Sequence, residues 1–141
     1  MAIKLVLDTN VALDLLVFDD PAAQPLRAAL LAKEALWLSS VGMRDELARV
    51  LDYPRVAPRM AARSLFPLAV LAEFDQLTCR VSAAPTAPCR CADADDQPFI
   101  DLAVQHGALL LSKDAAVLAL RRVMQAFGAR VLPAWPEMAP P

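Results

Sequence analysis

The run Ile3–Leu7 (IKLVL) restricts the fold more than any other part of the sequence. It is short, apolar on both faces, and followed at once by Asp8 and a helical pattern over Asn10–Phe18. A strand of that kind belongs inside a parallel sheet whose two sides are both covered. Asp8 then poses a chemical problem, because a buried carboxylate with no partner costs several kcal/mol.

The alternation of strand and helix continues along the chain. Asp20-Pro21 reads as an N-cap with a first-turn proline, opening a helix through about Glu34. Ala35–Leu38 is a second strand, and Ser39 or Ser40 caps a helix to about Leu51. Pro58–Leu77 reads as helical, bent near Pro67, and Thr78–Ala94 as a surface connection with one short strand. Phe99, Ile100, Ala103 and Val104 make the inward stripe of a helix closed by His106-Gly107. Ala108–Ser112 is a strand, Ala115–Phe127 a helix, and Arg130–Leu132 a last strand. Together they predict an α/β fold, a three-layer α/β/α sandwich around a mainly parallel sheet, with residues 1–133 as one domain and 134–141 as a proline-rich tail.

Composition narrows the classes of function. Hydrophobic residues make up 57% of the 141 and charged residues 21%, the balance of a globular domain. So high an apolar fraction in a small chain implies surface covered by a partner or a second copy, a dimer first. The net charge of −2 excludes a uniformly cationic nucleic-acid binder, so contact with nucleic acid needs a local basic patch or metal ions. Asp8 and Asp14 interrupt the one apolar N-terminal stretch, so no secretory signal and no membrane span are expected. Cys79, Cys89 and Cys91, odd in number, suit reduced thiols in the cytoplasm. With His106 they match no standard zinc spacing.

Four acids converge if the fold is right. Ligand sites of open parallel sheets lie outside the carboxyl ends of the strands. Asp8 and Asp114 each follow a strand there. Glu46 borders the inward stripe Met43, Leu47 and Val50, and Asp96 begins the helix whose stripe starts at Phe99. Such a group repels itself unless cations neutralise it, and hard oxygen ligands suit Mg²⁺ or Mn²⁺. Each acid has a plainer reading as well. Asp96 and Asp114 serve as N-caps worth about 1 kcal/mol each, and Glu46 as a solvated helix residue. Arg55, Arg59 and Arg63 recur every four residues and would form a basic stripe on a helix, while Arg44 and Arg49 flank Glu46. All five are candidates for an RNA backbone, or for an ordinary solvated face. The single histidine, His106, beside a helix-ending glycine, leaves triad and paired-histidine chemistry without material.

The stretches IKLVLDTNVALDLL, SSVGMRDELARVL, DADDQPFIDLA and LLLSKDAAVL, in that order, resemble a PIN domain, in particular the subfamily of toxin components of toxin–antitoxin pairs. The resemblance spans about Ile3 to Leu132. It implies a Mg²⁺- or Mn²⁺-dependent endoribonuclease with Asp8, Glu46, Asp96 and Asp114 as the catalytic and metal-binding quartet, and a small antitoxin protein as partner. Asn10 and Ser112 match polar positions that orient a carboxylate or meet the phosphate. Gln97-Pro98 stand where related sequences often carry charge, which leaves the third ligand open between Asp95 and Asp96 and puts Asp93 in an outer shell. The products implied are a 5′-phosphate and a 3′-hydroxyl. Two other classes begin similarly: a HAD-type phosphatase, whose second Asp would stand where Asn10 does, and a non-catalytic RNA- or protein-binding module of the same fold.

Overall fold

A computed structural model describes residues 2–136. Five strands form one sheet: β1 (Ile3–Leu7), β2 (Ala35–Ser39), β3 (Thr78–Arg80), β4 (Leu109–Leu111) and β5 (Arg130–Leu132). Their order is β3-β2-β1-β4-β5, and every neighbouring pair is parallel. β1 lies at the centre, with Leu5 against Trp37 on one side and Leu7 against Leu111 on the other.

Period-two alternation divides the core into two layers. Leu5, Leu7, Trp37, Leu109 and Leu111 face one side and pack on α1 (Thr9–Leu16), α2 (Gln24–Leu31), α3 (Val41–Val50), α4 (Ala57–Ala62) and α5 (Pro67–Leu77). There the Trp37 and Phe74 rings meet edge to face, 5.1 Å between centroids. Val6, Leu38, Leu110 and Val131 face the other side, against α6 (Gln97–His106), α7 (Ala115–Leu118) and α8 (Arg121–Ala126). The molecule is thus a three-layer α/β/α sandwich, as the doubly apolar strands predicted.

Several boundaries differ from the sequence reading, each for a local reason. Asp20 does cap, accepting from Ala22 N at 2.9 Å, but it opens a 3₁₀ turn before α2, which ends at Leu31. The helix expected over Pro58–Leu77 is two helices. Ser64 adopts a left-handed φ of 55°, and Phe66 before Pro67 is extended, so Pro67 starts α5 instead of bending a longer helix. Ala115–Phe127 likewise divides into α7 and α8. The connection after β3 does not lie wholly on the surface, because Ala87 and Cys89 are buried in the second core layer. Part of the proline-rich tail, 137–141, lies outside the described residues, while Trp135 packs against the first core layer. Among the described residues no helix is long and apolar enough to cross a membrane.

Leu110 is fully buried in β4 between two paired strands. Leu110→Ala is expected to cost about 2–5 kcal/mol, read as a lower denaturant midpoint at unchanged slope in an unfolding titration.

Candidate functional site

The site begins where β1 and β4 end side by side. Their register pairs Leu7 with Leu111, so Asp8 and Ser112 leave the sheet as neighbours. Asp8 is 4% exposed, and its burial is supported from three directions. Its carboxylate caps α1 by accepting from Val11 N at 2.9 Å, it accepts from the Ser112 hydroxyl, and its own N–H donates to Leu111 O at 3.2 Å. Burial pushes the Asp8 carboxyl up, against the lowering effect of the Ser112 and Val11 bonds. Ser112 also accepts from Asp114 N at 3.1 Å, which ties the two strand-end acids to one hydroxyl.

Asp114 caps α7, its Oδ1 accepting from Ala116 N at 2.8 Å. The capping reading is therefore correct for Asp114, yet capping does not exhaust its carboxylate. Among the described residues, Asp93, Asp96 and Asp114 each present an oxygen within 4.8 Å of the others. Asp96 makes no side-chain capping bond to its helix, and its Oδ2 is buried without a hydrogen-bond partner. Its pKa is pushed up to about 7, by burial first, then by the adjoining Asp114 carboxyl and the charges of Asp93 and Asp8. An orphaned buried oxygen among mutually repelling carboxylates is what a hard divalent cation satisfies, so the donor set fits Mg²⁺ or Mn²⁺.

The other expected residues fall around this group. Asp95 is exposed and contributes its backbone N–H to Asp93 at 3.0 Å, so it is Asp96 that shares the cluster. Asp93, expected in an outer shell, presents an oxygen within 4.8 Å of those of Asp96 and Asp114. Glu46 reaches the edge from α3 and accepts from Thr9 Oγ1 at 2.8 Å, one residue from Asp8. It lies outside the three-oxygen group.

Sequence reasoning missed Gln97, which is buried at the start of α6. It accepts from Cys91 N and donates to Cys89 O, both at 2.7 Å, and donates to Asp101 at 2.8 Å. Asp101 in turn accepts from Ala87 N at 2.8 Å. These bonds fasten the segment before Asp93 onto α6. Only its position just before the helix aromatic marked Gln97 out in the sequence, as a place without the usual charge. The three cysteines are free, and burial pushes the thiols of Cys89 and Cys91 up, away from the metal-binding thiolate.

The arginines do not form a single helical stripe. Arg55 precedes α4 and Arg63 ends it, and Arg55 reaches the first turn of α1 while Arg59 and Arg63 reach the residues just past its end. Arg55 donates to Asn10 Oδ1 at 2.8 Å, Arg59 lies over the Phe18 ring at 3.8 Å, and Arg63 bonds Val17 O and approaches Asp19 at 3.7 Å. Arg44 pairs with Asp75 at 2.8 Å across to α5, and Arg49 is exposed. A cleft of about 290 Å³ is lined by Asp8, Asp114, Asn10, Phe18 and Arg55. Lys113 and Asp14, an ion pair that sequence reasoning passed over, line it as well.

The raised Asp96 pKa has a defined consequence for stability. Its folded value, about 7, lies above the unfolded value near 4, so the folded state binds the extra proton. Stability from this group is complete below about pH 4 and is lost as pH rises through about 7. The metal-free protein is expected to lose thermal midpoint between about pH 5 and pH 8 more steeply than Asp96→Asn. Added Mg²⁺ or Mn²⁺ restores it at the upper pH only. Calorimetric scans of both proteins measure the difference.

The sequence matches the family model described as PIN domain over residues 4–116. No curated protein matches the chain.

Proposed function

This chain belongs to the PIN domain family, whose members are generally metal-dependent nucleases, and from that premise we propose that it is a Mg²⁺- or Mn²⁺-dependent endoribonuclease. One observation carries the reading: three carboxylates gathered at the carboxyl edge of the sheet, one with an orphaned buried oxygen. Asp93, Asp96 and Asp114 would hold the cation, with Asp8 and Glu46 completing the acidic set. When bound, the cation supplies Lewis-acid polarisation of a phosphodiester and makes water a nucleophile near neutral pH.

The residues of the chain do the rest. Ser112 and Val11 hold the Asp8 carboxylate in one orientation, and Thr9 does the same for Glu46, so both acids are aimed before substrate arrives. An ionised carboxylate in this group accepts a proton from attacking water, and no side-chain nucleophile is required. Asn10 is bonded to Arg55 and carries no carboxyl proton to donate, which supports the nuclease reading over the phosphatase one. Of the five candidate arginines, Arg49, Arg55 and Arg59 have no carboxylate partner among the described residues, and these are the better contacts for an RNA backbone. A role as the toxin of a toxin–antitoxin pair, and self-association, belong to the same proposal. In support, Phe66 and Leu68 at the start of α5 are 71% and 81% exposed, surface a partner or second copy would cover.

Losing a residue that merely supports a metal ligand costs roughly 10–100-fold in activity. Asp8→Asn and Asp96→Asn should therefore each lower Mn²⁺-dependent cleavage of labelled single-stranded RNA by at least about 100-fold, with the circular-dichroism spectrum unchanged. Variants as active as wild type would defeat the mechanism. The toxin role predicts growth arrest on expression of the wild-type chain and none with Asp96→Asn.

A further inference from the structure

A second cavity, of about 120 Å³, adjoins the cleft that Asp8 and Asp114 line, because the Asp14–Lys113 ion pair lines both. Its floor is made by Val11, Leu26 and Leu111, all buried in the first core layer. Two of these residues also support Asp8. Val11 donates its N–H to the Asp8 carboxylate, and Leu111 O accepts from Asp8 N. The cavity is therefore built on the same strand ends as the acid edge. Half-buried Trp135 forms part of its wall, and exposed Ala22 and Pro133 line its outer part.

Three charged side chains line this cavity: Asp14, Asp20 and Lys113. Asp20 uses one carboxylate oxygen to accept from Ala22 N, and Asp14 uses one to pair with Lys113. Among the described residues each keeps its second oxygen as an unfilled acceptor, and Lys113 spends one of its three N–H donors. A concave, mainly apolar space with a few polar groups is the usual make-up of a small-ligand site. The volume suits roughly eight to twelve water-sized groups, the size of one nucleobase. Guanine is the base whose pairing edge sets two adjacent N–H donors, at N1 and N2, beside one acceptor, O6. Adenine and cytosine offer a single amino donor beside ring acceptors, and uracil one imino donor between two acceptors. Two carboxylates and an ammonium match guanine, and they set lone pairs against lone pairs with the other three.

We propose that this cavity is a guanine subsite, receiving the base of a nucleotide adjacent to the cleaved bond, with Asp14 and Asp20 accepting from N1 and N2 and Lys113 donating to O6. The proposal rests on the nuclease reading and names the base that this reading leaves open. A base in the cavity is unpaired and unstacked, so the guanine comes from a single strand.

The test uses the full chain and a fluorescein-labelled single-stranded RNA of A, C and U with one central G. Two further strands carry adenine or inosine in place of that G. Affinity is read by anisotropy in EDTA, and KM and kcat are measured with Mn²⁺. The G strand should bind about tenfold more tightly than the A strand. Inosine, which keeps N1–H and O6 but lacks the 2-amino donor, should fall between them. Asp20→Asn keeps the cap, since asparagine caps as well as aspartate, but replaces the second oxygen with an N–H donor. It should cut the G-over-A preference to about twofold or less. Ala22→Leu adds bulk at an exposed lining residue and leaves the buried floor intact, so it should abolish the preference and raise KM with kcat little altered. The subsite is overturned if the wild type binds the G and A strands equally, or if either variant keeps the full preference. A preference for guanine in EDTA that both variants remove, in a protein that cleaves nothing with Mn²⁺, would instead overturn the nuclease reading alone.

Discussion

Asp8 is a carboxylate at the end of the central strand with almost no access to water, and the surrounding edge is organised to tolerate it. A carboxylate in that position needs donors, and the parallel pairing of β1 with β4 supplies the Ser112 hydroxyl at the next register position. That hydroxyl is also bonded to the Asp114 backbone, so the support for one acid fixes where the next acid leaves its strand. The inner strands β1, β2 and β4 are mainly apolar on both faces, as strands of a parallel sheet covered on both sides are. Parallel strands end together, and acids at their ends are brought to one edge. Burial of the core and assembly of the charged site are consequences of the same topology.

The site lies at the junction of three layers of constraint. From below, the sheet positions Asp8 and Asp114. From one side, α3 brings Glu46 to Thr9. From the other, Gln97 holds the segment 87–91 against α6 and sets the approach to Asp93 and Asp96. A neutral amide suits this task better than a carboxylate would, because Gln97 must donate to Cys89 O and accept from Cys91 N at once. The position two residues before Phe99 is thus a brace, and the negative charge of the cluster is carried by its neighbours.

Electrostatics and packing oppose each other at Asp96. Its half-buried carboxyl loses solvation and faces other carboxyls, so it holds a proton to about pH 7 when nothing else neutralises the group. The surroundings of α1 are arranged differently: Arg55 engages its first turn at Asn10, and Arg59 and Arg63 engage Phe18 and Val17 just past its last. Regular four-residue spacing suggested a stripe facing solvent. All three remain exposed, yet each is held by a contact to the segment Asn10–Asp19, so the pattern is an anchored surface and not a free stripe.

The sequence by itself determined the layered α/β fold, the strand ends at Asp8 and near Asp114, a serine cap for α3 at Ser39 or Ser40 and the closure of α6 at Gly107, because these follow from local periodicity and from capping chemistry within a few residues. It also made Asp96 a candidate but left it tied with Asp95, since neighbours one residue apart have the same composition and point apart only in three dimensions. The tertiary structure decided that Asp96 lies beside Asp114 while Asp95 faces water, that Asp93 joins them, and that Arg55 lines one cleft with Asp8 and Asp114. Those outcomes depend on contacts such as Asp8 with Ser112, 104 residues apart, and Thr9 with Glu46, 37 apart. No periodicity encodes such pairs; they are fixed when strand register, loop length and the Gln97 brace close on the same edge.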